Sequence, residues 1–204
     1  LGPALSFAGL VLALVLLAAE AWARDVSLAL AAAPLAALVT TVGNILGLRT
    51  LEAPEGTRGA FLVAHIALSF VGIAAFATAA AAGAMYLVQR HELKSRRFEA
   101  VFRFFPPLDT LDRVNHLAAV AGWLGLTLGV VLAVAYSVTY HAVNVPQILW
   151  GTGAWLGVSA LALGRLLRGW QARRAALISS VSFAVVVALY VAMRVAGGGR
   201  GQFL

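Results

Sequence analysis

The sequence predicts an all-α fold, a polytopic membrane bundle of about six transmembrane helices. Three observations carry this expectation. Apolar residues make up 62% of the 204-residue chain and charged ones 11%, with a mean hydropathy of +0.92. A water-soluble domain carries about 25% charged residues, so too little polar surface exists here to face water on every side. The apolar residues fall into six runs, each near the roughly 20 residues that a helix needs to cross a bilayer core. The basic residues gather in the short stretches between those runs. The net charge of +7 therefore reads as membrane topology and not as a nucleic-acid footprint.

The runs are taken in order. Residues 5–23 lack a basic leader and exceed a signal peptide's apolar core, which predicts a true span. Residues 26–48 follow; Thr40 and Asn44 near their outer end suit hydrogen bonding between helices, or the lining of a cavity. Residues 60–88 are long enough to tilt or to extend beyond the lipid. Their small residues (Ala74, Ala75, Ala77, Ala79 to Ala82, Gly83, Ala84) let neighbouring helices approach closely. Residues 114–138, 147–167 and 175–195 complete the set. No internal repeat or soluble domain shows, so 1–204 is expected to form a single transmembrane domain. The one sizeable hydrophilic piece is Gln89–Arg113, read as a basic loop with Pro106-Pro107 as a rigid turn.

Arg24, Arg90, Lys94, Arg96, Arg97, Arg103, Arg113, Arg165, Arg168, Arg173 and Arg174 lie on one side, 11 of the 15 basic residues. Arg49, Arg58, Arg194 and Arg200 lie on the other. The positive-inside rule then puts both termini outside the cytoplasm. Trp22 and Trp170 mark the inner boundary and Trp150 the outer one. Trp123 and Trp155 lie deeper, as packing or pocket residues. The absence of cysteine excludes disulfides, thiolate metal sites and covalent c-type haem attachment to this chain. No P-loop, dinucleotide fingerprint, HExxH or nucleophile elbow occurs, so no enzyme is expected. Asp109 and Asp112 precede the fourth span, where capping and the helix dipole explain them better than acid–base work. The neighbouring Asp112 and Arg113 also suit a loop fixed against headgroups.

The order of motifs carries a resemblance. "HIALSFVGIAAFATAAAAGAMYL" from His65 is followed by the basic loop, by "PLDTLDRVNH", by "GWLGLTLGVVLAVAYS" and by "RLLRGWQARRAAL". Over roughly Phe61 to Val195 this resembles the cytochrome c assembly superfamily of haem-handling membrane proteins, in particular its HemX-like and CcsA-like members. The tryptophan-rich external motif of the CcsA-like branch is degenerate here. "YHAVNVPQILWGTGAW" replaces it, and only Asn144 and Pro146 echo its Asp–Pro. The family's histidine before "R…RGW" falls at Leu163 or a neighbour, and Arg200 stands where its last external histidine would be. HemX is the closer likeness.

The resemblance implies a multi-pass protein of a bacterial cell membrane that binds haem b, with the iron held by two histidines. His65, about five residues into the third span and roughly 7 Å below its outer end, is the first ligand candidate. His141, in the outer connection before the fifth span, is the second. Neutral imidazole binds haem iron well, and an ionisable residue within a span is a functional candidate by default. A hydrogen bond from His65 to a backbone carbonyl of a neighbouring helix is the plainer alternative. Arg49, Arg58, Arg194 and Arg200 could meet the propionates, or simply snorkel. Phe61, Trp150 and Trp155 could wall the porphyrin, or simply pack. His91 in the basic loop and His116 near the inner end of the fourth span are expected to be interfacial. His116, seven residues before Trp123, is the reserve for an inner site.

Two functions follow from the resemblance. One is a non-enzymatic haem-binding protein of haem delivery or cytochrome c maturation, whose partners are haem, membrane lipid and maturation proteins. The other is a membrane regulator or scaffold that recruits a haem-biosynthesis enzyme through the basic loop. An electron-transfer cytochrome b fits poorly with a ligand in a loop, and a transporter lacks the expected row of intramembrane charges.

Overall fold

The computed structural model describes residues 9–15, 17–18, 21, 56–95, 105–141 and 145–197. Four long helices dominate them: α1 (Gly56–Ser95), α2 (Leu108–Tyr140), α3 (Val145–Arg168) and α4 (Ala172–Gly197). The expected spans 60–88, 114–138, 147–167 and 175–195 fall within these helices. Residues 9–15, inside the expected first span, are helical too. The expected span 26–48 lies outside the described residues.

Three of the described helices are long and apolar enough to cross a membrane: Gly56–Ser95, Leu108–Tyr140 and Ala172–Ala192. The chain is therefore a multi-pass helical membrane protein. Its surface agrees. On α2, Leu124, Leu128, Val131, Val134 and Val138 form an exposed apolar stripe, while Asn115, Ala118, Ala119, Gly122, Gly125, Leu126 and Gly129 are buried on the opposite face. Large apolar residues outside and small ones inside reverse the water-soluble pattern, because lipid is as apolar as the core and close backbone packing holds the helices.

Direct contacts set the topology. Residues paired across α1 and α2 run in opposite senses, from Asn115 with Ala79 to Arg58 with Tyr136. The Asp112–Arg165 and Thr127–Trp155 pairs make α2 and α3 antiparallel. Ser180 bonds the Ala80 carbonyl, and Trp150 the Val186 carbonyl, so α4 closes against both α1 and α3. Four alternating helices thus form a ring around Phe76, Leu161, Val158 and Ala154. Phe76 meets Phe183 edge-on at 5.4 Å between centroids.

Helices α1 and α2 cross in close backbone contact. A Cβ built on Gly72 would lie 2.6 Å from the Leu126 amide nitrogen, and one on Gly125 2.9 Å from the Gly72 Cα. Only hydrogen fits at either position. The α3–α4 turn needs glycine for a different reason. Gly169 has φ +57°, its amide donates to the Arg165 carbonyl at 3.2 Å, and Trp170 N–H returns to the Gly164 carbonyl at 3.3 Å. This left-handed cap ends α3, and Arg174 then lies 4.6 Å over the Trp170 ring.

Two sequence expectations change. The piece read as a loop, Gln89–Arg113, is helical at both ends: α1 continues to Ser95 and α2 begins at Leu108. Gln, Arg, Glu and Lys are good helix formers, so leaving the apolar run does not end the helix. His91 consequently sits on α1, exposed. Asp112 does not cap α2; it pairs with Arg165. The N-cap position is Pro107, without a side-chain cap, and Arg113 pairs with Asp109 at 3.2 Å.

Candidate functional site

The end of the bundle where α1 begins and α2 finishes holds most of the described candidate residues. Gly129 makes this possible. Its missing side chain leaves its carbonyl within reach of α1, where a Cβ would stand 2.6 Å from Ser69 Oγ. The His65 ring, partly buried, places Nδ1 2.8 Å from that carbonyl oxygen. A carbonyl only accepts, so Nδ1 carries the proton and donates. In the neutral ring the lone pair then sits on Nε2, which makes no hydrogen bond among the described residues. A backbone carbonyl behind a ligating histidine is the usual device for fixing ring orientation and raising basicity. The same bond is the plain helix-to-helix contact expected as the alternative. Its chemistry fits an iron ligand: the far nitrogen is the free one.

One turn-pair outward, Arg58 Nε donates to Tyr136 Oη at 3.0 Å. Its guanidinium lies 5.9 Å from the Tyr136 ring centroid and 5.4 Å from that of Tyr140. The two tyrosine rings are 4.9 Å apart. Sequence reasoning singled out neither tyrosine; their i, i+4 spacing on the face that carries Gly129 is the signal that could have done so.

His141 is the C-cap of α2, in the left-handed region at φ 50°, and exposed. It shares His65's end of the bundle but not its level. It follows Gly129 by twelve residues, about 18 Å of helical rise, with Tyr136 and Tyr140 between. Trp155 reaches inward, donating from Nε1 to Thr127 Oγ1 of α2 at 3.0 Å. Trp150 bonds the Val186 carbonyl at 3.1 Å and lies 5.5 Å from Tyr190, so it faces α4. Phe61 is on the exposed side of α1. Arg194 lies in the last turns of α4. Arg49 and Arg200 lie outside the described residues.

The other half of the bundle holds a polar cluster. Asn115 is buried and donates from Nδ2 to the Ala79 carbonyl at 2.6 Å and to Ser179 Oγ at 2.8 Å. Its Oδ1 accepts from Arg165 Nη2 at 3.2 Å, and Arg165 also pairs with Asp112. One asparagine thereby ties α1, α3 and α4 to α2. His116 and Trp123, the reserve pair, each keep a buried ring nitrogen (Nδ1 and Nε1) without a hydrogen-bond partner among the described residues. Among the described residues no group of three or more His, Cys, Asp or Glu could hold a metal ion. A haem iron needs no such group, since the porphyrin supplies four of its ligands.

The sequence model of the family described as "Cytochrome C assembly protein" matches residues 3–199. The chain is similar to the cytochrome c biogenesis protein CcsA of Synechococcus elongatus, 32% identical over 99 residues, covering 47% of this chain and 30% of the relative. The CcsA of Synechococcus sp. CC9605 is 29% identical over 99 residues (47% and 32% covered), and that of Rippkaea orientalis 28% (47% and 29%). The aligned part thus spans about a third of these curated relatives. No solved structure matches. With its family's sequence pattern running through nearly all of it, the chain belongs to the cytochrome c assembly protein family.

Proposed function

We propose that the protein is a non-enzymatic, haem-binding membrane protein acting in haem delivery for cytochrome c maturation, with His65 as an axial ligand of haem b. The observation that carries this reading is the hydrogen bond from His65 Nδ1 to the Gly129 carbonyl, which leaves Nε2 as the free ligating nitrogen. The CcsA relatives supply the process. Haem, when bound, would supply an iron centre for redox chemistry or a cargo for transfer. The chain's own residues orient one imidazole, present a cation near the water edge and keep the surroundings apolar. His141, about 18 Å of helical rise from the level of His65, is not placed to share that iron while α2 stays helical to Tyr140, so the reading assigns His65 alone.

The reading includes six spans, a bacterial cell membrane and both termini outside the cytoplasm. That orientation puts His65, Arg58 and His141 at the outer end, where cytochrome c maturation proteins would meet them, and the arginines of the α3–α4 turn at the inner one. The test uses cells whose c-type cytochromes depend on this protein. His65→Ala should lower covalent haem in those cytochromes at least about fivefold at equal membrane abundance, while lipid-facing Ile66→Ala should not. His141→Ala should leave the absorption spectrum of the haem-loaded protein unchanged. Normal cytochrome levels with His65→Ala would overturn the ligand assignment.

A further inference from the structure

The sequence leaves four arginines as equal partners for an anionic group, and Arg58 is the one of them whose side chain the structure describes. Arg58 and His65 are seven residues apart on α1, two helical turns along nearly the same face. Their contacts on α2, Tyr136 and Gly129, are also seven residues apart. The two side chains therefore stand on one stripe of the α1–α2 seam, separated by about 10 Å of rise. That is close to the distance from a porphyrin's central metal to its propionate carboxylates. Arg58 is also held in place. Tyr136 Oη accepts from Nε, and the rings of Tyr136 and Tyr140 lie against the guanidinium. Nε is thus used for positioning, and the two terminal NH2 groups make no hydrogen bond among the described residues. Those two groups form the half of the fork that grips a carboxylate bidentately. A cation tethered on its inner edge and open on its outer edge is arranged for an anion, whereas a merely snorkelling arginine needs no tether.

We propose that Arg58, braced by Tyr136 and Tyr140, is a carboxylate subsite that takes one propionate of a porphyrin whose metal faces His65. This rests on the haem reading above and adds to it an orientation: propionates at the outer rim, the apolar edge of the macrocycle toward the membrane interior. It assigns Tyr136 and Tyr140 as positioning residues, acting through the guanidinium.

The experiment uses the purified full chain in detergent and four probes: haemin, metal-free protoporphyrin IX, and the dimethyl ester of each. Metal-free porphyrin reads the carboxylate subsite without the iron, by quenching of protein fluorescence. Wild type should bind protoporphyrin IX at least about tenfold more tightly than its dimethyl ester, the size of one charge-assisted bidentate contact. Arg58→Gln should remove that preference while leaving ester affinity within about twofold, which also shows that the variant is folded. Arg58→Lys should recover part of it, having the charge without the fork. Tyr136→Phe, which keeps the cation but loses its tether, should weaken the free acid several-fold and leave the ester unchanged. His65→Ala should weaken haemin and spare protoporphyrin. Equal affinity of wild type for acid and ester would overturn the subsite, as would an Arg58→Gln or Tyr136→Phe protein that keeps the full preference. In either case a Soret band lost in His65→Ala leaves the haem reading standing. A preference for the free acid without any His65-dependent Soret band would sink the haem reading alone.

Discussion

Asn115 shows what a single side chain does in this bundle. Its amide meets a carbonyl of α1, a hydroxyl of α4 and a guanidinium of α3, so every polar atom of its head group has a partner. In an apolar interior each of those partners would otherwise cost free energy to leave unpaired. Asn115→Leu should therefore destabilise the protein by about 2–4 kcal/mol, beyond one hydrogen bond, because Arg165, Ser179 and the Ala79 carbonyl each lose a partner at once. Thermal unfolding in detergent measures it; a loss below about 0.5 kcal/mol would show the cluster is not a structural tie. Removing Asp112 alone should cost more than replacing Asp112 and Arg165 together with apolar residues, since the single change leaves a buried charge unpaired. The partner of Asp112 was not legible in the sequence. Arg113 is adjacent in the chain, but at i+1 it points to another side of the helix, while Arg165 is 53 residues away. His65 was legible as a candidate, because it is a histidine inside an apolar run and the order of motifs around it carries the family resemblance. A carbonyl of a neighbouring helix was the alternative the sequence offered, but that Gly129 supplies it was not legible, since backbone atoms leave no mark in a sequence.

Between elements, the α1–α2 crossing governs the candidate site. Gly72, Gly122, Gly125 and Gly129 let the two backbones meet, and the His65 contact to Gly129 depends on that approach. Gly125→Val would force its side chain into the Gly72 backbone, which cannot yield as a flexible side chain would. The expected cost is about 3 kcal/mol or more, with loss of His65-dependent haem binding in any protein that remains folded. Gly151→Val, where a Cβ meets nothing within 4 Å, is the matched control. Unfolding midpoints and porphyrin titrations would read both; equal behaviour of the two variants would contradict the crossing's role. The small-residue stretch of α1 announced close packing in the sequence. The polar extensions of α1 and α2 did not announce themselves as helix, because hydropathy reports where lipid ends, and a helix continues past it.

For the molecule as a whole, composition carried the class. A chain this apolar, with its charges confined between runs, folds as helices in lipid, and four of the expected spans lie within helices of the ring. The absence of cysteine makes the orientation testable with single substitutions. His141→Cys should react with a membrane-impermeant thiol reagent added to intact cells, and Arg173→Cys only after permeabilisation. The reverse pattern would invert the topology and place the His65 end on the cytoplasmic side.

The most direct measurement is a haemin titration of the purified protein followed by absorption. With His65 ligating through Nε2, wild type should develop a saturable Soret band at one haem per chain, and His65→Ala should bind at least about tenfold more weakly. A Soret band of equal position and affinity in the two proteins would contradict the account.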